Sequence, residues 1–139
     1  MNRFVIDASC VGPLVLPDEA ENLLPVVRQA LEERGCIAPG HWCFEVGNLA
    51  LMAVRRKRAE ALLVAANLAD LSHFGVDTDH LSSGLAWTNT LSIAEETGLT
   101  LYDAAYLELA RRLALPLLSM DGALLKAAAQ LGVSTNSAS

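Results

Sequence analysis

Short apolar runs alternate along this chain with longer amphipathic segments, and this alternation restricts the possible folds more than any other feature of the sequence. A strand that is buried on both faces of a sheet is apolar throughout, whereas a helix that covers a sheet is apolar along one side. Short strands that alternate with longer helices are typical of a parallel sheet covered by helices. The sequence therefore predicts an α/β domain.

The predicted strands and helices follow one another along the whole chain. Strands are expected at residues 4–6, 36–38, 74–76 and 116–119, with a short fifth strand starting at Val133. Helices are expected at about residues 18–34, 42–58, 60–71, 85–97, 103–113 and 121–131. Pro25 predicts a break or a late start in the first helix, and Asp79 is a candidate cap for a further turn. Glycines are expected to end three helices, at Gly35, Gly98 and Gly132.

Length and composition fit one domain of a cytoplasmic protein. A chain of 139 residues can form a single core, predicted here over residues 1–133, with residues 134–139 as a flexible tail. No apolar run approaches the roughly 20 residues of a membrane span, and the first residues resemble neither a signal nor a transit peptide. The three cysteines lack C-x-x-C spacing and are expected to be reduced thiols.

The charge of the chain argues both for and against a nucleic-acid substrate. Its 16 acidic and 10 basic residues give a formal net charge of −6, whereas RNA-binding proteins usually neutralise phosphates with Lys and Arg. An excess of carboxylates does fit a site that concentrates acids and a partner that carries positive charge. The hydrophobic fraction of 53% and the mean hydropathy of +0.34 indicate an unusually complete core or an apolar face for a partner.

Carboxylates lie at the ends of predicted strands and at the starts of predicted helices. Asp7 follows the first strand, and Asp121 follows the strand at residues 116–119. Glu45 lies in the first turns of the helix after the second strand, and Asp103 opens another helix. The carboxyl ends of parallel strands and the amino ends of the following helices share one edge of a sheet, where ligands bind. These side chains can therefore meet at one site.

Each of these carboxylates also has a purely structural interpretation. Asp7 can form a turn with its own backbone, and Glu45 can simply face solvent. Asp103 stands three residues after Thr100, which is a capping-box spacing. Asp121 precedes a glycine and is typical of a helix N-cap. The metal-site interpretation rests on all of these positions falling at one sheet edge.

Clustered carboxylates favour Mg²⁺ or Mn²⁺ as the cofactor, because like charges held close together require a cation and these ions prefer oxygen ligands. Two such ions can activate a water molecule and stabilise the leaving oxygen when a phosphodiester is cleaved. Ser9 and Ser119 are candidates for orienting the carboxylates or metal-bound waters. Small polar residues at strand ends are an equally good interpretation of both serines.

Segments of the sequence resemble the PIN-domain ribonucleases, and in particular the VapC-type toxins of toxin–antitoxin systems. The matching segments are residues 4–9 (FVIDAS), 42–51 (WCFEVGNLAL), 98–110 (GLTLYDAAYLELA) and 115–124 (LPLLSMDGAL). They occur in the order and at the spacing typical of that family, and they extend over essentially the whole chain. The third and fourth segments together are the most specific part of the resemblance.

The resemblance implies a three-layer α/β/α fold with a central parallel sheet of about four to five strands, and metal-dependent cleavage of RNA. It assigns Asp7, Glu45, Asp103 and Asp121 as the acidic quartet that holds the metal and carries catalysis, with Ser119 at a Ser/Thr position of the family. It also implies a homodimer and a cognate antitoxin, whose tail can place a basic residue near the active site. Such a partner would suit the charge of −6.

The expected activity is endonucleolytic hydrolysis of RNA by a metal-activated water, without a covalent enzyme intermediate. Two alternatives remain open: a housekeeping PIN-domain nuclease that acts in RNA processing without an antitoxin, and a non-catalytic module whose acids are helix caps or a regulatory cation site. A solvated helix end is the simpler interpretation of the basic residues that are candidates for phosphate contacts. These candidates are Arg55, Arg56, Lys57 and Arg58, with Arg111 and Arg112 as further ones.

Overall fold

Parallel strands form the centre of the computed structural model, which describes residues 3–16 and 24–135. The strands are β1 (Phe4–Ile6), β2 (Cys36–Pro39), β3 (Asp77–Asp79) and β4 (Leu117–Leu118). They lie side by side in the order β3-β2-β1-β4. Every residue of β1, β2 and β4 is buried, which explains why these strands are recognisable in the sequence as apolar runs.

Helices surround the sheet in the alternating order that the sequence predicts. The α-helices within the described residues are α1 (Gly12–Val15), α2 (Leu24–Gln29), α3 (Trp42–Arg55), α4 (Ala61–Ser72), α5 (Leu91–Thr97), α6 (Leu101–Leu113) and α7 (Gly122–Gln130). Tighter 3-10 turns span Ala8–Val11 and Ser83–Leu85, and wider π-helical turns span Ala30–Arg34 and Ala86–Thr90.

The helices form two groups around the sheet. In one group, α6 packs on β1, β2 and β4 and is in turn contacted by α5 and α7. Residues 104–110 of α6 are therefore all buried. In the other group, α1, α3 and α4 pack against one another. The predicted three-layer α/β/α fold with a parallel central sheet is confirmed.

Several predicted helix ends are confirmed. Each of them depends on a cap or a glycine within a few residues of the helix end, which the sequence shows directly. The hydroxyl of Thr100 caps α6 by accepting a hydrogen bond of 3.2 Å from the backbone N–H of Asp103. Gly98 ends α5 with a φ of 78°, in the left-handed region where a side chain would be strained. Gly35 and Gly132 also follow the ends of helical segments.

The predicted third strand is wrong by three residues. The sequence predicts it at residues 74–76, whereas the structure places β3 at Asp77–Asp79, paired with β2 so that Ile37 stands opposite Asp77. Because β3 lies at the sheet edge and is only partly covered, it does not need apolar residues. Asp79 is the last residue of this strand, and its carboxylate accepts a 2.6 Å hydrogen bond from the hydroxyl of Ser82 in the turn that precedes the 3-10 segment Ser83–Leu85.

Other predicted boundaries differ in detail. The helix expected at residues 42–58 ends at Arg55, so most of the basic run follows the helix. The helix expected at residues 85–97 is divided into a π-helical turn and α5. Val133 starts no strand; the structure has a single bridge there, between Leu117 and Thr135.

Parts of two predictions fall outside the described residues. The first is the expected helix start near Asp18, which is not among the described residues. The helix that is described there begins at Leu24, one residue before Pro25. Of the expected tail, Ser134 accepts a hydrogen bond from the backbone of Leu117 and Thr135 forms the bridge, while residues 136–139 are not described. Among the described helices, none combines the length and apolarity needed to cross a membrane.

Candidate active site

Asp7 lies at the carboxyl end of β1, where the sheet fixes its backbone. The N–H of Asp7 donates a hydrogen bond of 3.0 Å to the carbonyl of Leu118 in β4. Its side chain is 5% exposed, and its Oδ2 atom accepts hydrogen bonds from the hydroxyls of Ser9 (2.7 Å) and Ser119 (2.8 Å). Within the described part of the chain, no hydrogen bond ends on Oδ1 of Asp7, which leaves that oxygen available to another ligand.

The two serines connect Asp7 to the loop between β4 and α7. The Ser9 hydroxyl accepts from the backbone N–H of Met120 at 2.9 Å, and the Ser119 hydroxyl accepts from the N–H of Asp121 at 3.0 Å. Each hydroxyl therefore accepts from this loop while it donates to Asp7, so its hydrogen points at the carboxylate. Both serines therefore orient the carboxylate of Asp7.

Asp121 caps helix α7, as its structural interpretation predicts. Its Oδ1 atom accepts from the N–H groups of Ala123 (2.9 Å) and Leu124 (3.3 Å). Both capping bonds end on the same oxygen. The cap therefore fixes the side chain and leaves Oδ2 free of the capping interaction.

Glu45 lies in the first turn of α3 and is held by two neighbours that the sequence analysis did not identify. The hydroxyl of Tyr106, on α6, donates to Oε1 of Glu45. Nε2 of His41 lies 3.5 Å from the same oxygen and donates a 3.0 Å hydrogen bond to the carbonyl of Tyr102. Both could have been found from helical spacing, because His41 is four residues before Glu45 and Tyr106 is three after Asp103.

Asp103 lies within electrostatic range of the other three predicted carboxylates. Burial raises the pKa of Asp103 above its usual value, and the charges of Asp7, Asp121 and Glu45 raise it further, while His41 opposes this effect. These groups come from four separate stretches of the chain. The structure therefore brings the predicted quartet to one edge of the sheet.

The other three carboxylates act on Asp103 through their charge, but in the described part of the chain the four side chains are not at the separations of a metal site. Among the residues that the structure describes, no group of three or more His, Cys, Asp or Glu side chains has the separations needed to hold a metal. The donor set is nevertheless all oxygen, as Mg²⁺ and Mn²⁺ require.

The basic candidates for phosphate binding lie away from this site or are already paired. Arg55, Arg56, Lys57 and Arg58 are exposed at the far end of α3, roughly 15 Å along the helix axis from Glu45. Arg112 is bound to Glu108 and Asp79 at 2.8 and 2.7 Å. The structure thus assigns Arg112 to an ion-pair network, and Arg111 remains exposed beside it.

None of the cysteines is a predicted metal ligand, although Cys10 lies close to Asp7 and Ser9. All three are free thiols, with Cys10 and Cys36 buried and Cys43 exposed. Burial, together with the charge of Asp7, raises the pKa of Cys10 far above its usual value. A thiol in this environment stays protonated and is not a reactive nucleophile.

Comparison with known proteins gives a structural likeness without a named function. No family of known proteins matches this chain in sequence, and no curated protein matches it. Among solved structures, the chain is similar to PAE2754 from Pyrobaculum aerophilum, with a TM-score of 0.67 and 25% sequence identity. The match covers 91% of this chain and 86% of that one. It supports the fold described above.

Proposed function

We propose that this protein is a metal-dependent endoribonuclease that hydrolyses RNA phosphodiesters. One observation carries the proposal: burial raises the pKa of Asp103, and three other carboxylates raise it further, at the sheet edge where α/β proteins bind their ligands. Such repulsion is unfavourable for folding, and clusters of this kind occur where function requires them. An all-oxygen site at a sheet edge favours Mg²⁺ or Mn²⁺ as the cofactor.

The residues of the site would have two roles: some would bind the cation, and others would orient those ligands. Asp7, Glu45, Asp103 and Asp121 would hold the cation. Bound Mg²⁺ or Mn²⁺ supplies Lewis-acid activation of the phosphodiester and of water. The Ser9 and Ser119 hydroxyls fix one oxygen of Asp7 and would leave the other for the cation, and the Tyr106 hydroxyl fixes one oxygen of Glu45 in the same way.

A divalent cation is expected to stabilise the folded protein. At 100 times its Kd, a cation bound only by the folded state adds about 2.7 kcal/mol to the free energy of unfolding. Thermal unfolding with and without Mn²⁺ measures this effect. Asp103→Asn should lose it, whereas Asp70→Asn, which removes an exposed carboxylate from α4, should retain it. Equal cation responses of wild type and Asp103→Asn would contradict the site.

Asp103→Asn is also expected to raise stability in the absence of cations, by about 0.5–2 kcal/mol at neutral pH. The pKa of Asp103 is higher in the folded state than in the unfolded state, so the folded state binds its proton more tightly. The favourable contribution is present below the ordinary Asp pKa and is lost as pH rises through the raised folded pKa. Urea unfolding from acidic to neutral pH should show the gain of the variant growing over this range.

Ser119→Ala is expected to reduce cleavage about 10- to 100-fold, which is typical of losing a group that orients a metal ligand. The hydroxyl is fully buried and donates to Asp7, so its loss removes one of the two hydroxyl groups that hold the carboxylate in place. Ser119→Thr keeps the hydroxyl and serves as the matched control. Rates are compared after thermal unfolding has shown that both variants fold. If Ser119→Ala and Ser119→Thr both lose activity while their stability is normal, the hydroxyl group is not the feature that cleavage requires.

The charge and surface of the chain support a toxin role, in the cytoplasm, with an antitoxin as the partner. The net charge is −6, and α3 and α4 expose Leu51, Leu62 and Leu63. A basic, partly apolar antitoxin segment would neutralise the acidic site and cover such leucines, and a second copy of the chain would bury others. A gene for a small DNA-binding protein immediately upstream, and copurification of its product, would support this role. A chain that is monomeric and harmless when expressed alone would contradict it.

A non-catalytic cation-binding module is a second candidate, favoured by the capping roles of Asp121 and Thr100. In that case the cation would stabilise the protein without RNA cleavage. Purified protein incubated with RNA and Mn²⁺ separates the two functions, because only the nuclease produces cut RNA that depends on the carboxylates.

A further inference from the structure

A cavity of about 350 Å³ opens beside the carboxylates, between the start of α3, the π-helical turn Ala86–Thr90 and the start of α6. Its volume lies within the range of small-molecule sites. The residues that matter here are His41, Phe44, Ser83, Thr90 and Tyr102. Most of the lining is apolar, with a few hydroxyl groups among the aromatic rings.

Thr90 gives this cavity an unsatisfied hydrogen-bonding group. The residue is 1% exposed, and its hydroxyl has no hydrogen-bond partner within the described part of the chain. A buried hydroxyl without a partner costs about 1–3 kcal/mol, so it needs an explanation. Thr90 ends a π-helical turn, and such turns occur frequently at functional sites. Thr90 lines the cavity, but its hydroxyl is covered, so a ligand would supply the missing partner only where the turn Ala86–Thr90 moved to uncover it.

Aromatic rings border the cavity and are exposed to solvent. The side chain of Phe44 is 81% exposed and that of Tyr102 is 66% exposed. The ring of His41 stands edge-on to Tyr102, with their centres 5.5 Å apart. Exposed rings of this size are unfavourable in water, but they provide the faces on which unpaired nucleic-acid bases stack.

The cavity adjoins the carboxylate site through His41 and Tyr102. His41 lines the cavity and lies 3.5 Å from Oε1 of Glu45. Tyr102 lines it as well and immediately precedes Asp103 in α6. A chain whose phosphate group reached the carboxylates would therefore place a neighbouring group at the aromatic border.

We propose that this cavity binds an unpaired nucleobase adjacent to the cleaved phosphate and so determines which base the enzyme prefers there. The proposal rests on the proposed ribonuclease function. The base stacks on Phe44 and Tyr102, and its edge bonds the Thr90 hydroxyl once the π-helical turn Ala86–Thr90 has moved to uncover it. A nucleobase fits this cavity for two reasons. Its flat face can stack on the aromatic rings, and the polar atoms at its edge can form a hydrogen bond with a buried hydroxyl. An apolar protein side chain would leave Thr90 unsatisfied.

The test compares two cavity variants with one control. Phe44→Ala removes a stacking face, and Thr90→Val removes the hydroxyl while keeping the shape. Trp87→Ala is the control, because Trp87 is an equally exposed ring (86%) that does not line the cavity. All three changes should leave the thermal stability nearly unchanged, since none removes a hydrogen bond within the described residues. The probe is a library of short single-stranded RNAs with Mn²⁺.

The expected results separate stacking from base recognition. Phe44→Ala should raise KM about 5- to 150-fold with a smaller effect on kcat, which corresponds to stacking of 1–3 kcal/mol at 1.36 kcal/mol per tenfold change. Thr90→Val should weaken the base preference at one position beside the cut, mapped by sequencing the products. Trp87→Ala should match the wild type in both measurements.

The outcomes also distinguish failure of the base-binding site from failure of the proposed ribonuclease function. If the wild type cleaves RNA and both cavity variants keep its KM and base preference, the base site is wrong and the nuclease stands. If the wild type binds the RNA library without cutting it, and binding falls in Phe44→Ala but not in Trp87→Ala, the base site stands without catalysis. If the wild type neither binds nor cuts, both fail. A change of oligomeric state in Phe44→Ala, with unaltered base preference, would instead place Phe44 between two copies of the chain and overturn the proposal.

Discussion

Asp7→Asn is expected to reduce metal-dependent RNA cleavage by more than about 100-fold. Losing a residue that only orients a metal ligand typically costs 10- to 100-fold, and Asp7 is proposed to be a ligand itself. The substitution keeps an acceptor oxygen for Ser9 and Ser119, so the local hydrogen bonds and the fold should survive. Initial rates with Mn²⁺ on a single-stranded RNA, together with thermal unfolding, measure the effect.

The control for this experiment is Asp70→Asn, which removes the same charge from an exposed position on α4. It should cleave like the wild type. Both proteins must be freed of any copurifying antitoxin before the assay. Equal cleavage by wild type and Asp7→Asn would show that the activity belongs to a contaminating nuclease, and the proposed function would then be abandoned.

Arg112→Met is expected to lower the free energy of unfolding by about 3 kcal/mol, because removing one partner of a buried ion pair leaves an uncompensated charge. Glu108 is 3% exposed and accepts two hydrogen bonds from Arg112, of 2.8 and 3.1 Å. Arg112 also binds Asp79 at 2.7 Å, so the change disconnects α6 from the edge strand β3. Thermal unfolding should show a decrease of roughly 10 °C in Tm.

A second substitution tests the reason for this loss. Glu108→Gln, combined with Arg112→Met, removes the buried charge that the single variant leaves behind and should restore part of the stability. The coupling between the two sites is expected to be about 0.5–3 kcal/mol. Additive effects would show that the pair does not interact. If Arg112→Met has normal stability but binds RNA more weakly, Arg112 would instead be a phosphate-binding residue.

The same network has a pH dependence of known sign. Burial opposes ionisation of Asp79, but the hydrogen bonds from Arg112 and Ser82, with the guanidinium charge, outweigh it and hold the pKa of Asp79 below its usual value. Its contribution to stability is therefore present above the ordinary Asp pKa and is lost as pH falls through the lowered pKa. Acid unfolding of the wild type should be steeper than that of Arg112→Met, which no longer has this contribution.

The sequence by itself determined the features that depend on neighbouring residues. The apolar run of β1 ends at Asp7, Thr100 begins α6 by capping it, and Gly98 ends α5. Each depends on burial of a short run or on a hydrogen bond within a few residues, so the local pattern carries the information. The order of these elements also placed the four acids at one sheet edge, because parallel strands share a direction.

Only the tertiary structure decided the features that depend on distant residues. The position of β3, the bond between Tyr106 and Glu45, and the pairing of Arg112 with Asp79 each join parts of the chain that are far apart. Periodicity reports which face of a segment is buried but not which partner covers it, so neither the exposed edge strand nor the cavity at Thr90 was predictable. Pairing with β2 places β3, and packing of α6 against β1, β2 and β4 places the residues of α6 that surround the carboxylates.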